Sequence, residues 1–403
     1  MDSQKGGKKT KKKTNIVQFP DMKINRNKES NVHYTNDEIK FIRDDFPKLC
    51  SPYKYVPAIM NSKKRIIVFG DIHGDYHLTI DMFTKAGLVS HNSDDDTFTW
   101  IGGDTCVVQM GDQIDRCRPM PGLPCTHPDT TYNDEPNDIK IMELFNNLSL
   151  QADKAGGMVI SLLGNHELLN AMGQMQYVSY QGLKQFEDYV DPDSPDRAFH
   201  DGKEARIHAF QPGNKFGKMM GCTRLPAVII GSNIFVHAGI IDALIEEINL
   251  KGISDFEKIN IKLRKWLLGL LDQNYVEHII KYSKNSMFWS RVLGKIPPGV
   301  SLTNPRCMDN IKNVLNLFQI GSIVVGHTPQ SFMYSDDINS TCDNKVWRVD
   351  NGSSSAFNNF DANFKKTGIS TLSRRTQYLE IIDDNTYLVC DGSGCKREIR
   401  TET

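Results

Sequence analysis

Seven residues able to bind a cation or move a proton stand at the ends of apolar runs of strand length. Asp71 and His73 follow "RIIVFG" within "GDIHGDYH", Asp112 follows "CVVQMG", and Asn165 with His166 follows "MVISLLG". His237 ends "NIFV" and His327 follows "SIVVG". One aspartate after a strand is ordinarily a cap or turn former, and one histidine is ordinarily a satisfied structural residue. The recurrence of such residues at successive strand ends points instead to one shared site. Carboxylate, imidazole and amide donors without thiolates suit Mn, Fe or Zn rather than an all-sulfur structural site. Gly70, Gly74, Gly111, Gly164, Gly239 and Gly326 adjoin these residues, where the chain must turn sharply and let its backbone approach a ligand.

Residues this far apart in sequence need a scaffold that brings strand ends together. The apolar runs alternate with helical patterns in "YHLTIDMFTKAGLV", "DIKIMELFNNLSLQADKAG" and "FEKINIKLRKWLLGLLDQNYVEHIIKY", which predicts an α/β architecture. In open α/β sheets the carboxyl ends of strands face a common crevice. Near the start, "YTNDEIKFIRDDFPKL" predicts one short amphipathic helix ended by Pro47. The Pro-, Asp- and Thr-rich stretch at about 117–136 reads as a long loop beside the site, and 173–221 as an inserted cap. Residues 1–31 are Lys- and Asn-rich without periodicity, so they read as a disordered tail ahead of a folded body spanning 32–400. A nuclear-import or polyanion-binding patch is the alternative reading of the lysines.

Composition narrows the class. With 39% apolar and 24% charged residues and a net charge of -1, neither nucleic acid nor membrane is indicated as the main partner, the basic tail apart. No apolar run approaches the roughly 20 residues of a membrane span, and the start lacks the apolar segment of a signal peptide. Nine cysteines without a repeated CxxC pair do not read as a disulfide framework. The expectation is a soluble, intracellular protein in a reducing compartment, cytoplasmic or, through its tail, nuclear. Cys117 reads as a buried or redox-sensitive thiol, and "CDGSGC" as a bridge or half of a zinc knuckle.

The ordered motifs "GDIHGD", "GDQIDR", "GNHE", "VHAG" and "VGHTP" resemble those of the calcineurin-like metallophosphoesterases, in the phosphoprotein phosphatase branch. "GGDTCVVQMGDQIDR", "AFQPGNKFGKMMGCTRLPAVII", "MFWSR" and "VDNGSSSAF" are similar to the Shewanella-like subgroup. The resemblance implies two stacked mixed β-sheets flanked by helices; strand–helix alternation alone would equally permit a doubly wound sheet. It implies two divalent or trivalent metal ions (Mn, Fe or Zn). Asp71, His73 and Asp112 would hold the first, and Asp112 would bridge to a second completed by Asn165, His237 and His327. A hydroxide bridging the metals would attack phosphorus. His166 would be the general acid, oriented by Asp115, and Glu167 would support the surrounding shell. Arg116 and Arg291, with Asn165, would hold phosphate oxygens. Two departures stand out: Cys117 replaces the usual glycine after Arg116, and "HAG" replaces His-Gly-Gly.

The leading function is therefore hydrolysis of phosphomonoesters on phosphoproteins or phosphopeptides, at Ser/Thr or Tyr. A nucleotide or dinucleoside polyphosphate hydrolase would use the same site, since specificity lives in the cap and loops. A catalytically inactive binding protein would be expected to lack the bridging carboxylate or the acid, and both Asp112 and His166 are present.

Overall fold

The computed structural model describes residues 23–370 and 374–399. Its strands, in chain order, are β1 (Ile59–Met60), β2 (Arg65–Phe69), β3 (Val89–Asn92), β4 (Thr97–Trp100), β5 (Cys106–Gln109), β6 (Met158–Leu162), β7 (Arg224–Leu225) and β8 (Ala227–Ile230). They continue as β9 (Asn233–Val236), β10 (Ser322–Val325), β11 (Asn339–Thr341), β12 (Val346–Arg348), β13 (Tyr378–Ile382), β14 (Thr386–Cys390) and β15 (Cys395–Ile399). They form a seven-stranded sheet ordered β15-β14-β13-β2-β5-β6-β7 and a six-stranded sheet ordered β1-β8-β9-β10-β12-β11, with β3 and β4 as a separate hairpin.

β2, β5, β6 and β7 run parallel, as do β9, β10 and β12. Strands covered on both faces need no polar alternation. In β2, Ile66 and Val68 pack into a core shared with Val228, Ile234 and Ile323 of the other sheet. Ile67 and Phe69 point the opposite way, against the helices Tyr76–Lys85 and Asp138–Lys154. One strand thus serves the interior of the sandwich and its outer helical layer at once. The architecture is the stacked mixed-sheet α/β sandwich with flanking helices that the family resemblance implies, not a doubly wound sheet.

Three local readings change. Pro47 does not end the first helix: the helical run continues from Asn36 to Cys50 through one wide turn, Phe41–Asp45, in which the Phe46 N–H donates to Phe41 O five residues back. Proline removes a donor and crowds the preceding turn, and the wider turn accommodates both effects. Order also begins before residue 32. Arg26 pairs with Asp384 at 2.9 Å, and the buried Lys28 donates to Gly231 O at 2.8 Å; the part of the expected tail at 1–22 lies outside the described residues.

The cysteines are the third correction. Eight of the nine pair, as Cys50–Cys222, Cys117–Cys125, Cys307–Cys342 and Cys390–Cys395, leaving Cys106 buried and free. Cys117 is thus neither a free thiol nor a tolerated bystander, and "CDGSGC" closes on itself across the β14–β15 turn. The inference of a reducing compartment loses its basis, because disulfides persist in oxidising environments. No described helix is long and apolar enough to cross a membrane.

Candidate metal and active site

The carboxyl ends of β2, β5 and β6 deliver Asp71, His73, Asp112 and Asn165 from the seven-stranded sheet, and β9 and β10 deliver His237 and His327 from the other. The loops that carry them are tight. His73, Asp112, Asp115 and His327 all adopt positive φ, between 51° and 71°. L-residues hold such angles at a cost, and clusters of them mark functional sites. Gly164 is required for a different reason: a Cβ there would collide with the Asp112 carboxylate.

Asp112 is the hub. Its Oδ2 lies 3.2 Å from His237 Nε2, 3.8 Å from His73 Nε2 and 3.9 Å from His166 Nε2, while Oδ1 accepts the His166 N–H at 3.0 Å. His237 Nε2 also lies 3.0 Å from Asn165 Oδ1 and 3.2 Å from His327 Nδ1. Two donor groups result, His73–Asp112–His166 and Asp112–His237–His327, sharing Asp112. Asp71 sits beside them, its Oδ2 3.9 Å from His73 Nε2 and both its oxygens accepting the His327 N–H.

Several features fit this set to cations. Donor atoms about 2.0–2.2 Å from one small metal lie about 3 Å apart, the spacing around His237 Nε2. The His237 Nδ1–H donates to Met110 O at 2.8 Å, which leaves Nε2 as the free ligand atom. His73 turns its Nε2 toward both Asp71 and Asp112. Charge tells the same story. Burial, then Asp350 and Asp112, push the Asp71 carboxyl well up, and burial pushes Asp350 up to about 7. Burial works against the Asp112 anion as well, but His237 and His166 outweigh it and hold the carboxyl well below its usual range. Buried carboxylates in such number call for a compensating positive charge.

His166, whose Nε2 borders the first donor group, is tied to a different carboxylate through its other ring nitrogen. His166 Nδ1 lies 2.8 Å from Asp115 Oδ2, while Asp115 Oδ1 accepts from Asn170 Nδ2 at 2.9 Å. Arg206 supports both, bonding Asn170 Oδ1 at 2.9 Å and Asp138 at 2.7 Å. Glu167 accepts the N–H groups of Asp112, Gln113 and Gly164 at 2.7–2.9 Å, and so fixes two metal-bearing loops to each other.

These groups open into a cleft of about 830 Å³ whose walls include Tyr177, Trp289, Phe332 and Phe357. Arg291 lies on its rim, its Nη1 donating to His327 O at 2.8 Å. Arg116 is not among its walls. That guanidinium lies behind the second motif, donating to Gly74 O at 3.2 Å and Asn133 O at 3.1 Å. Arg118, which the sequence reading missed, lines the cleft together with Arg291. Asp350 was missed too, although it lies in the quoted "VDNGSSSAF" two residues beyond the end of β12, a further carboxylate near a strand end.

The family model of the calcineurin-like phosphoesterases matches residues 64–331, and the chain belongs to that family. It is a hydrolase acting on phosphoric ester bonds. It is 40% identical over 260 residues to uncharacterized protein R398 of Acanthamoeba polyphaga mimivirus, covering 62% of this chain and 98% of that one. To Shewanella-like protein phosphatase 2 of Arabidopsis thaliana it is 25% identical over 320 residues, 72% of each chain. A cold-active protein-tyrosine phosphatase of a psychrophile Shewanella sp. shares the fold, with a TM-score of 0.57 and 19% identity over 92% of this chain and 89% of that one.

Proposed function

We propose that this chain is a dinuclear metal-dependent phosphomonoesterase acting on phosphoproteins. The observation that carries the reading is the single carboxylate, Asp112, shared by the donor sets around His73 and around His237–His327, with His166 at the edge of the first set and held on Asp115. Asp71, His73 and Asp112 would hold one cation, and Asp112, Asn165, His237 and His327 the other. When bound, such a pair of cations neutralises phosphoryl oxygens and makes water acidic enough to serve as the nucleophile near neutral pH.

The remaining work falls to side chains. Asp115 accepts the His166 Nδ1–H, so a proton carried on Nε2 defines an imidazolium that this carboxylate stabilises. That Nε2 proton is available to the oxygen leaving with the substrate's hydroxyl, the general-acid role. Arg291, with one Nη on a backbone carbonyl, keeps further donors for a phosphoryl oxygen. Walls of Trp289, Phe332 and Phe357 admit a side chain or an extended peptide beside the phosphate. Supporting the phosphoprotein assignment, the Arabidopsis relative is named a protein phosphatase, and the structural neighbour a protein-tyrosine phosphatase.

The test is turnover by the Mn-loaded chain of a panel holding phosphoserine, phosphothreonine and phosphotyrosine peptides beside mononucleotides and a dinucleoside polyphosphate. Release of phosphate from the peptides is expected. Turnover of nucleotides alone would replace the phosphoprotein assignment with a nucleotide hydrolase.

A further inference from the structure

We infer that Arg118, two residues beyond the arginine of the second motif, is the side chain that grips the substrate phosphate, and that the Cys117–Cys125 bridge holds it there. The inference rests on the phosphomonoesterase reading of the cleft.

Three observations carry it. The first is the exchange of roles between the two arginines of "DRCR". Arg116 packs against Gly74, where a Cβ would stand 3.1 Å from its own Cβ, and spends Nη1 and Nη2 on backbone carbonyls away from the cleft. Arg118 lines the cleft alongside His73, Asp112, Asn165 and His166, and all its hydrogen bonds to described residues leave from one nitrogen, Nη1, to Asp115 O and Cys117 O. Nε and Nη2 therefore remain as a pair of donors on one edge of the guanidinium, the arrangement that matches two oxygens of a phosphate.

The second is that the guanidinium is placed in advance. It is only 6% exposed and lies 4.9 Å over the Phe357 ring, with Tyr177 at 5.9 Å. A stacked, anchored arginine loses little freedom when an anion arrives.

The third is the bridge. Cys117, between the two arginines, is tied to Cys125 and donates its N–H to Tyr177 O at 3.0 Å, while Asn359 Nδ2 holds Arg118 O at 3.1 Å. Backbone on both sides of Arg118 is thereby fixed. Without the bridge, the stretch from Pro119 to Pro124 would be closed only by the reciprocal Met120–Leu123 backbone hydrogen bonds, and Arg118 would lose the covalent tie beside it.

Binding of inorganic phosphate to the Mn-loaded full chain tests this, read both by calorimetry and as the inhibition constant against an aryl phosphate. Arg118→Ala is expected to weaken phosphate binding about 10- to 100-fold, the worth of a charge-assisted pair. Metal content should stay at the wild-type level. Arg118→Lys keeps charge and stem volume and is expected to recover part of the affinity; it decides the matter if the alanine variant fails to fold. Cys125→Ala should weaken binding as well, but add nothing in an Arg118→Ala background. Wild-type phosphate affinity in the folded Arg118 variants overturns the assignment, and additive losses in the double variant overturn the role of the bridge. A wild-type chain that binds no phosphate and cleaves no phosphoester overturns both this inference and the reading it rests on.

Discussion

His166 Nδ1 and Asp115 Oδ2 lie 2.8 Å apart, with the other carboxylate oxygen held by Asn170 and the backbone N–H of Asp115 bonded to Asp138. This chain of contacts aims the imidazole without taking up Nε2. His166→Asn should therefore lower kcat by about 10²–10⁴-fold, the usual contribution of a general acid, with metal content unchanged. The loss should be larger for alkyl phosphates than for aryl phosphates, whose leaving group needs no proton. Asp115→Asn should fall in the same direction by less. Steady-state rates on the two substrate types check both, and equal losses on both would remove the acid role.

Asp112 serves both donor groups, so its replacement would disturb both proposed cation sites. Asp112→Asn is expected to abolish turnover and to reduce bound metal measured by elemental analysis. Because the second donor group, Asp112–His237–His327, joins the two sheets, chelation of the wild-type protein should also lower its melting temperature. The loss corresponds to about 4 kcal/mol for metal supplied at a thousand times its dissociation constant, and reloading should reverse it. Scanning calorimetry before and after chelation measures this. Unchanged metal content in the Asp112→Asn protein would show that the site is wrongly drawn.

In the region predicted as a cap, Asp191 accepts from His208 Nε2 at 2.7 Å. That hydrogen bond holds the Asp191 carboxyl below its ordinary value of 3.8. A depressed carboxyl stabilises the folded form above pH 3.8 and loses that contribution as the pH falls through its lower folded value. Hydrogen exchange of the segment around His208 should therefore accelerate as pH falls below about 4, after correction for intrinsic exchange. Asp191→Asn should remove that acid-dependent acceleration.

Thiol counting tests the covalent framework. Burial pushes the Cys106 thiol up to about 12, so it resists alkylation in the folded protein. Under native, non-reducing conditions no cysteine should react; after denaturation without reductant, one should; after reduction, all nine. Mass spectrometry of the alkylated chain reads each count directly.

What the sequence disclosed was what local pattern encodes. Strand ends announced themselves because an apolar run followed by Gly-Asp, Gly-Asn or a histidine is a short-range signal, so the donor cluster was legible residue by residue. The two-sheet stacking was legible only through family resemblance, since Ile66 and Ile67 look alike although they face opposite layers. Pairings across the chain were hidden. Cys50 and Cys222 are 172 residues apart, and nothing in their neighbourhoods relates them. The choice between Arg116 and Arg118 was hidden for the same reason: it depends on where the loop through Cys125 closes. Asp350 had a visible local signal, but the motif around it was noted without a role.

The division of the donors between two sheets has a consequence for change elsewhere in the molecule. His237 and His327 move with the six-stranded sheet; Asp71, His73, Asp112 and Asn165 move with the other. Contacts of 3.0 and 3.2 Å from His237 Nε2 to Asn165 and Asp112, across the two sets, leave almost no slack. A substitution deep between the layers, such as enlarging Val228 or Val68, need not touch the cleft to be felt there. Cations held between these donors would act as a vernier on the sandwich, so a slippage too small to melt the fold would register first as a change in metal affinity.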